Sequence, residues 1–117
     1  MNDDVTIYFN PKCSKCRLTI ELLEKEGQHA KVIEYLNTPP DAGTLESILN
    51  MLGLEPRDLM RKHEKEYTVA GLDNPDLTRE QLISAMIEYP RLIERPIVIK
   101  NGKAVIGRPP ERILDIL

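Results

Sequence analysis

Val5-Thr6-Ile7-Tyr8-Phe9-Asn10-Pro11-Lys12-Cys13-Ser14-Lys15-Cys16-Arg17 is the stretch on which the fold turns. Its first five residues are β-branched or aromatic, the composition of a strand, and Asn10-Pro11 interrupts the backbone as a turn. From Ser14 to Glu26 the spacing becomes helical, with Leu18, Leu22 and Leu23 expected on the buried side and Gly27 as the stop. Lys31-Val32-Ile33-Glu34-Tyr35 returns to strand composition. Two strands joined by one short helical crossover are expected to be parallel and right-handed. Cys13 then stands where the first strand hands over to the first helix.

Outward from this unit, Asn37-Thr38-Pro39-Pro40 breaks the chain, because proline lacks the N–H donor and restricts the residue before it. Leu45, Ile48, Leu49 and Leu52 mark one face of a helix ended by Gly53. A further short helix is expected from Pro56 to about Glu66, with proline in its first turn. Gly71 to Asp76 reads as loop. Thr78 with Gln81 matches a capping box, and Leu82, Ile83, Met86 and Ile87 give the next helix its apolar side before Pro90 stops it. Ile97–Lys100 and Lys103–Ile106 flank Asn101-Gly102, the pair suited to a two-residue type I′ hairpin. After Pro109-Pro110, Ile113, Leu114 and Leu117 are expected to line a terminal helix. The order is strand, helix, strand, several helices, hairpin, helix. This is an α/β, thioredoxin-like arrangement: a mixed four-stranded sheet with flanking helices and an enlarged helical insertion between strands 2 and 3.

The chain's 117 residues fit one domain spanning 1–117. Sixteen Lys and Arg against nineteen Asp and Glu leave a net charge of −3, which argues against a general nucleic-acid or acidic-membrane binder. With 41% hydrophobic residues, no Trp and one Phe, the core must be mainly aliphatic. Met1-Asn2-Asp3-Asp4 has no positive leader, and no apolar run approaches the roughly 18 residues of a membrane span. A cytoplasmic protein is expected, and a monomer, since no exposed apolar helix face stands out.

Two cysteines cannot build a disulfide framework, and a close pair in a reducing compartment is more often reactive than structural. At the helix start, unpaired N–H groups and the helix dipole favour a thiolate at Cys13, and Lys12, Lys15 and Arg17 add positive charge. Cys16, three residues on, shares that helix face. Cys13 is therefore the candidate nucleophile, and Cys16 either a resolving thiol or a small buried hydrophobe. A zinc site is disfavoured, because His29 and His63 are far apart in sequence and no second cysteine pair exists. No metal is expected. Arg95, just before Pro96 and the hairpin, could face Cys13 on this fold. Taken singly, each of Arg61, Arg95 and Arg108 reads more readily as an ordinary surface or salt-bridged residue, and sequence spacing alone does not bring the three together.

Several separated motifs resemble the glutaredoxin-coupled arsenate reductase family over nearly the full length: Asn10-Pro11 before Cys13 with Arg17 beyond it, Tyr35-Leu36 before Pro39-Pro40, Leu59-Met60-Arg61-Lys62, Glu94-Arg95-Pro96-Ile97-Val98 and Gly107-Arg108-Pro109. The resemblance implies that Cys13 attacks arsenate and that Arg61, Arg95 and Arg108 hold the oxyanion, with Asn10, Lys15, Arg17 and Pro96 in support. It also implies glutathione as co-substrate and glutaredoxin as partner, with no bound cofactor. Pro96 resembles the proline that such folds place, in the cis form, opposite the nucleophile. Two positions depart from the pattern: some members carry His where this chain has Phe9, and many carry Ser where it has Cys16. Two other functions stay open: a glutaredoxin-like thiol–disulfide oxidoreductase, and a redox-sensing regulator that binds RNA polymerase through a Cys13/Cys16 switch. An adaptor role would leave the position of Cys13 unexplained.

Overall fold

The computed structural model describes residues 5–117, so the Met1–Asp4 segment read above as lacking a leader lies outside the described residues. Two compact units divide the chain: Met1–Thr38 with Arg95–Leu117, and Pro39–Glu94.

The first unit holds the sheet. Strand β1 (Val5–Phe9), helix α1 (Ser14–Lys25) and strand β2 (Ala30–Glu34) form the opening unit, and β3 (Ile97–Lys100) and β4 (Lys103–Ile106) the hairpin. The strand order is β2-β1-β3-β4. β1 runs parallel to β2 and antiparallel to β3, so the sheet is mixed as expected. The hairpin turn is also as read, because Asn101 and Gly102 have φ of 53° and 75°, the left-handed pair that a type I′ turn requires. Val5, Ile7, Val98 and Val105 from the strands pack with Leu23 of α1 and Ile113 near the C-terminus into one aliphatic core. Phe9 packs against its edge, in the apolar role its composition suggests.

Three expectations fail here, each for a local reason. Helix α1 buries Cys16, Thr19 and Leu23, while Leu18 is 46% exposed. The buried stripe runs 16, 19, 23, and its two small members, a thiol and a hydroxyl, were outweighed in the pattern by the larger leucines. β2 begins and ends one residue early, leaving Tyr35 beyond the strand and fully buried. The terminal segment is a 3₁₀ helix, Pro110–Asp115, in which Ile113 is buried but its neighbour Leu114 is 46% exposed. A tight three-residue turn cannot send two adjacent apolar residues to one side.

The second unit is helical: α2 (Ala42–Leu52), a 3₁₀ turn (Pro56–Leu59), α3 (Lys65–Val69), α4 (Arg79–Glu88) and a 3₁₀ turn (Pro90–Leu92). The expected helix from Pro56 to Glu66 is thus two short pieces with irregular chain between them. Asp41 caps α2 by accepting the Thr44 N–H at 2.8 Å, and Thr78 with Gln81 forms the capping box of α4. Leu45, Ile48 and Leu49 of α2 are buried, as are Leu82, Ile83 and Met86 of α4, and the two helices pack together.

Candidate active site

The site grows from the Asn10–Cys13 turn. The Asn10 carboxamide oxygen accepts the Lys12 N–H at 2.9 Å, and the Asn10 carbonyl accepts the Cys13 N–H at 3.0 Å. This turn delivers Cys13 in extended conformation to the N-cap of α1, with its carbonyl accepting the Arg17 N–H at 3.2 Å. Arg17 is exposed and donates through Nη1 to the Pro11 carbonyl at 3.0 Å, which braces the turn.

Around the Cys13 sulfur the chain gathers donors. Burial alone pushes this thiol's pKa up, but the backbone N–H of Cys16, the Cys16 thiol and the Arg95 guanidinium all hydrogen-bond it. The balance holds Cys13 below its ordinary value. Arg108 Nη2 points at Cys13 Sγ from 3.6 Å, and Arg108 Nε donates to the Arg95 carbonyl at 2.7 Å, so one arginine braces the backbone of the other. Arg95 is correspondingly harder to deprotonate: burial works against its charge, but the Cys13 hydrogen bond and the Tyr35, Cys13 and Cys16 charges favour it. Lys12, Lys15 and Arg17, expected to help depress the thiol, are not among the groups that set it. Cys16 behaves oppositely to Cys13. Its burial, together with the nearby Cys13, outweighs the Asn10 backbone N–H and pushes its pKa up to about 12. At neutral pH it is a neutral S–H donor facing Cys13, and both cysteines are free.

The Arg95–Pro96 peptide bond is cis, as is Arg108–Pro109. The Pro96 carbonyl accepts the Gly107 N–H at 2.9 Å, tying the two arginine-bearing segments together. Gly107 is there for space: a Cβ would sit 2.9 Å from Thr19 Oγ1 and 3.0 Å from Pro96 Cγ. Thr19, fully buried, anchors its hydroxyl on the Lys15 carbonyl at 2.8 Å. Gly107→Ala must therefore push α1 and Pro96 apart. We expect it to lower stability by about 1–3 kcal/mol in urea titration and to slow alkylation of Cys13; an unchanged midpoint would show that the contact relaxes freely.

Arg61 belongs to the second unit. Its guanidinium hydrogen-bonds Glu64, lies 3.7 Å from a Glu94 carboxylate oxygen and 3.0 Å from His63 Nε2, and Glu64 also pairs with Arg91. The sequence reading missed Tyr35, Thr19 and the Glu64 partner of Arg61. Only the last had a local signal, the i, i+3 spacing of opposite charges. Among the described residues no group of three or more His, Cys, Asp or Glu could hold a metal ion, and no helix is long and apolar enough to cross a membrane.

The thioredoxin-like sheet sets a thiol at the α1 N-cap, a cis-proline loop carrying arginine and a second arginine on the sulfur, on a fold shared with solved structures of arsenate reductases. The chain belongs to the ArsC family, which it matches over residues 8–116. It is 49% identical to the uncharacterised YfgD of Escherichia coli (strain K12), over all of this chain and 99% of that one. It is 47% identical to an arsenate reductase of Neisseria meningitidis serogroup A, over 97% of this chain and 98% of the relative. An arsenate reductase structure from Vibrio cholerae superposes with a TM-score of 0.96 at 47% identity, covering 100% of both chains.

Proposed function

We propose that the protein is an arsenate reductase in which the Cys13 thiolate attacks arsenic(V) held by arginine. The observation that carries this reading is the pairing of a depressed thiol with two guanidinium groups, Arg95 and Arg108, at one helix N-terminus. Planar guanidinium donors match a tetrahedral oxyanion and stabilise the charge that builds as sulfur bonds to arsenic. Arg61 is assigned to the same task on the motif Leu59-Met60-Arg61-Lys62 alone. Asn10, Arg17 and Pro96 hold the turn and loop that carry these groups, and Lys15 adds local positive charge.

Attack expels water and leaves a Cys13 S–As bond. Glutathione sulfur then bonds to the Cys13 sulfur as the S–As bond breaks. The electron pair stays on arsenic, which departs as arsenite, and Cys13 is left as a mixed disulfide. Glutaredoxin removes the glutathionyl group and returns the thiolate. No bound cofactor takes part in this scheme. It suits a monomer in the cytoplasm, where thiols are kept reduced. The test is arsenite formation from arsenate with glutathione and glutaredoxin, and absence of turnover would refute it.

The Cys13–Cys16 contact supports a second reading, a thiol–disulfide oxidoreductase that cycles an internal disulfide. The buried S–H of Cys16 favours the first. We expect Cys16→Ser to keep at least a third of the glutathione-plus-glutaredoxin rate, because a hydroxyl still donates to the Cys13 thiolate. Complete loss, or arsenate-independent disulfide turnover indifferent to Arg95→Ala, would favour the second. A redox-dependent polymerase pull-down would instead favour the regulator.

A further inference from the structure

The sulfur and its two arginines come from separate segments of the first unit: Cys13 from the start of α1, Arg95 from the loop before β3 and Arg108 from the segment after β4. The two arginine segments are tied to each other, by the Gly107 N–H on the Pro96 carbonyl at 2.9 Å and by Arg108 Nε on the Arg95 carbonyl at 2.7 Å. Both bonds join loop to loop. The joined loops still have to be seated on α1, and Thr19 stands at their junction. A Cβ on Gly107 would lie 2.9 Å from Thr19 Oγ1, 3.5 Å from Thr19 Cγ2 and 3.0 Å from Pro96 Cγ. The side chain of Thr19 thus packs on the residue before Arg108, at the point where the ring after Arg95 also arrives. It belongs to the buried stripe of α1, Cys16, Thr19 and Leu23, which begins one turn past Cys13.

We propose that Thr19 is a positioning residue for the Cys13 site: it is the stop on α1 against which the Pro96–Gly107 junction seats, and it sets how closely Arg95 and Arg108 approach the sulfur. The inference rests on the reading above of Cys13 as a nucleophile partnered by these arginines. Thr19 has the properties of a stop. It is fully buried and β-branched, so it is stiff about χ1, and its hydroxyl is held on the Lys15 carbonyl at 2.8 Å. That hydrogen bond runs back along the helix, so the side chain is satisfied within α1 and offers the loops a fixed surface. Close-packed interiors pass a displacement on rather than absorb it. Here the displacement would reach the sulfur. Arg108 Nη2 already lies 3.6 Å from Cys13 Sγ, and a retreat of the junction by about 1 Å takes it beyond hydrogen-bond reach. Because Arg108 Nε is fixed to the Arg95 carbonyl, the two guanidinium groups retreat together. Thr19 touches no reacting atom, and acts through the arginines.

The test is the pH profile of Cys13 alkylation by iodoacetamide without arsenate, with the label located by mass spectrometry and folding followed by urea titration. Cys16, Arg95 and Arg108 are the titratable or charged groups on the sulfur, so a profile that moves reports their approach. We expect Thr19→Ala to move the acid limb to higher pH by about half a pH unit, which slows alkylation on that limb about threefold. Thr19→Val keeps the branched shape and is expected to recover most of this change. In a chain already carrying Arg95→Ala and Arg108→Ala, Thr19→Ala should move nothing further. A Thr19→Ala profile that matches the parent overturns the inference. An equal move with and without the arginines also overturns it, because α1 itself would then have been disturbed. Where Thr19→Ala fails to fold, Thr19→Ser removes the methyl alone and gives the same reading at smaller amplitude. A profile unmoved by removing both arginines overturns the partnered thiol and the role of Thr19 together. Because arsenate is absent, the oxyanion assignment stands or falls separately.

Discussion

Cys13→Ser is expected to abolish arsenate reduction, a loss on the order of a thousandfold or more, the scale seen when a nucleophile is removed from a group that activates it. The reason lies in what the N-cap position concentrates. At the N-cap the backbone N–H of Cys16 faces the Cys13 sulfur, and Arg95 and Arg108 close on it from the loops around the hairpin. Every one of these donors stabilises a negative sulfur. A serine hydroxyl in the same place stays protonated near neutral pH and is a far weaker nucleophile, so the same donors have no anion to work on. Cys16 cannot substitute, because its pKa of about 12 leaves almost no thiolate. The measurement is the rate of arsenite formation with glutathione and glutaredoxin at saturating concentration. A Cys13→Ser chain that retains more than about one-hundredth of the rate would place the nucleophile elsewhere. Urea titration of the same variant, expected to match the parent, excludes unfolding as the cause.

How far the sequence could be read depended on whether a signal was local. The capping box at Thr78 and Gln81, the Asn101-Gly102 turn and the strand composition of Val5–Phe9 each carry their own instruction within a few residues, and each element formed as read. Leu18 was misread because hydrophobic spacing reports that a face is apolar, not that it is covered. The α1 core face instead uses Cys16 and Thr19, residues that a hydropathy pattern discounts. The site was legible only in part. Cys13 announced itself by its place after Asn10-Pro11. The approach of Arg95 and Arg108 depends on β3 pairing with β1 and on the Pro96–Gly107 hydrogen bond, contacts between positions far apart in sequence. No spacing rule reaches that far, and only the agreement of separated motifs suggested them. The same limit hid Tyr35, which gains its electrostatic relation to Arg95 by leaving β2 for the interior.

Arg95→Ala is expected to cost about 1.5–3 kcal/mol of transition-state stabilisation, the scale of a charge-assisted hydrogen bond, or roughly 10- to 150-fold in kcat/KM for arsenate at neutral pH. Two separable effects contribute. Arg95 is a donor to the oxyanion in the proposed reaction, and it is also one of the groups that hold the Cys13 thiol below its ordinary pKa. The second effect has a definite sign. Removing a cation raises the pKa of a neighbouring acid, so the acid limb of the pH–rate profile must move to higher pH, and the deficit must shrink as the pH rises through the new value. Loss of the oxyanion contact alone would lower the whole profile without moving it. Arg95→Lys separates the two, because lysine restores the charge near the sulfur but not the planar fork. It should return the acid limb most of the way toward the parent while recovering little of the arsenate kcat/KM. The profile of Cys13 alkylation by iodoacetamide, measured without arsenate, reads the thiol directly and should shift in the same direction as the rate profile. An alkylation profile unmoved in Arg95→Ala would mean that Cys16 and Arg108 suffice to hold the thiolate, and that Arg95 acts on the oxyanion alone.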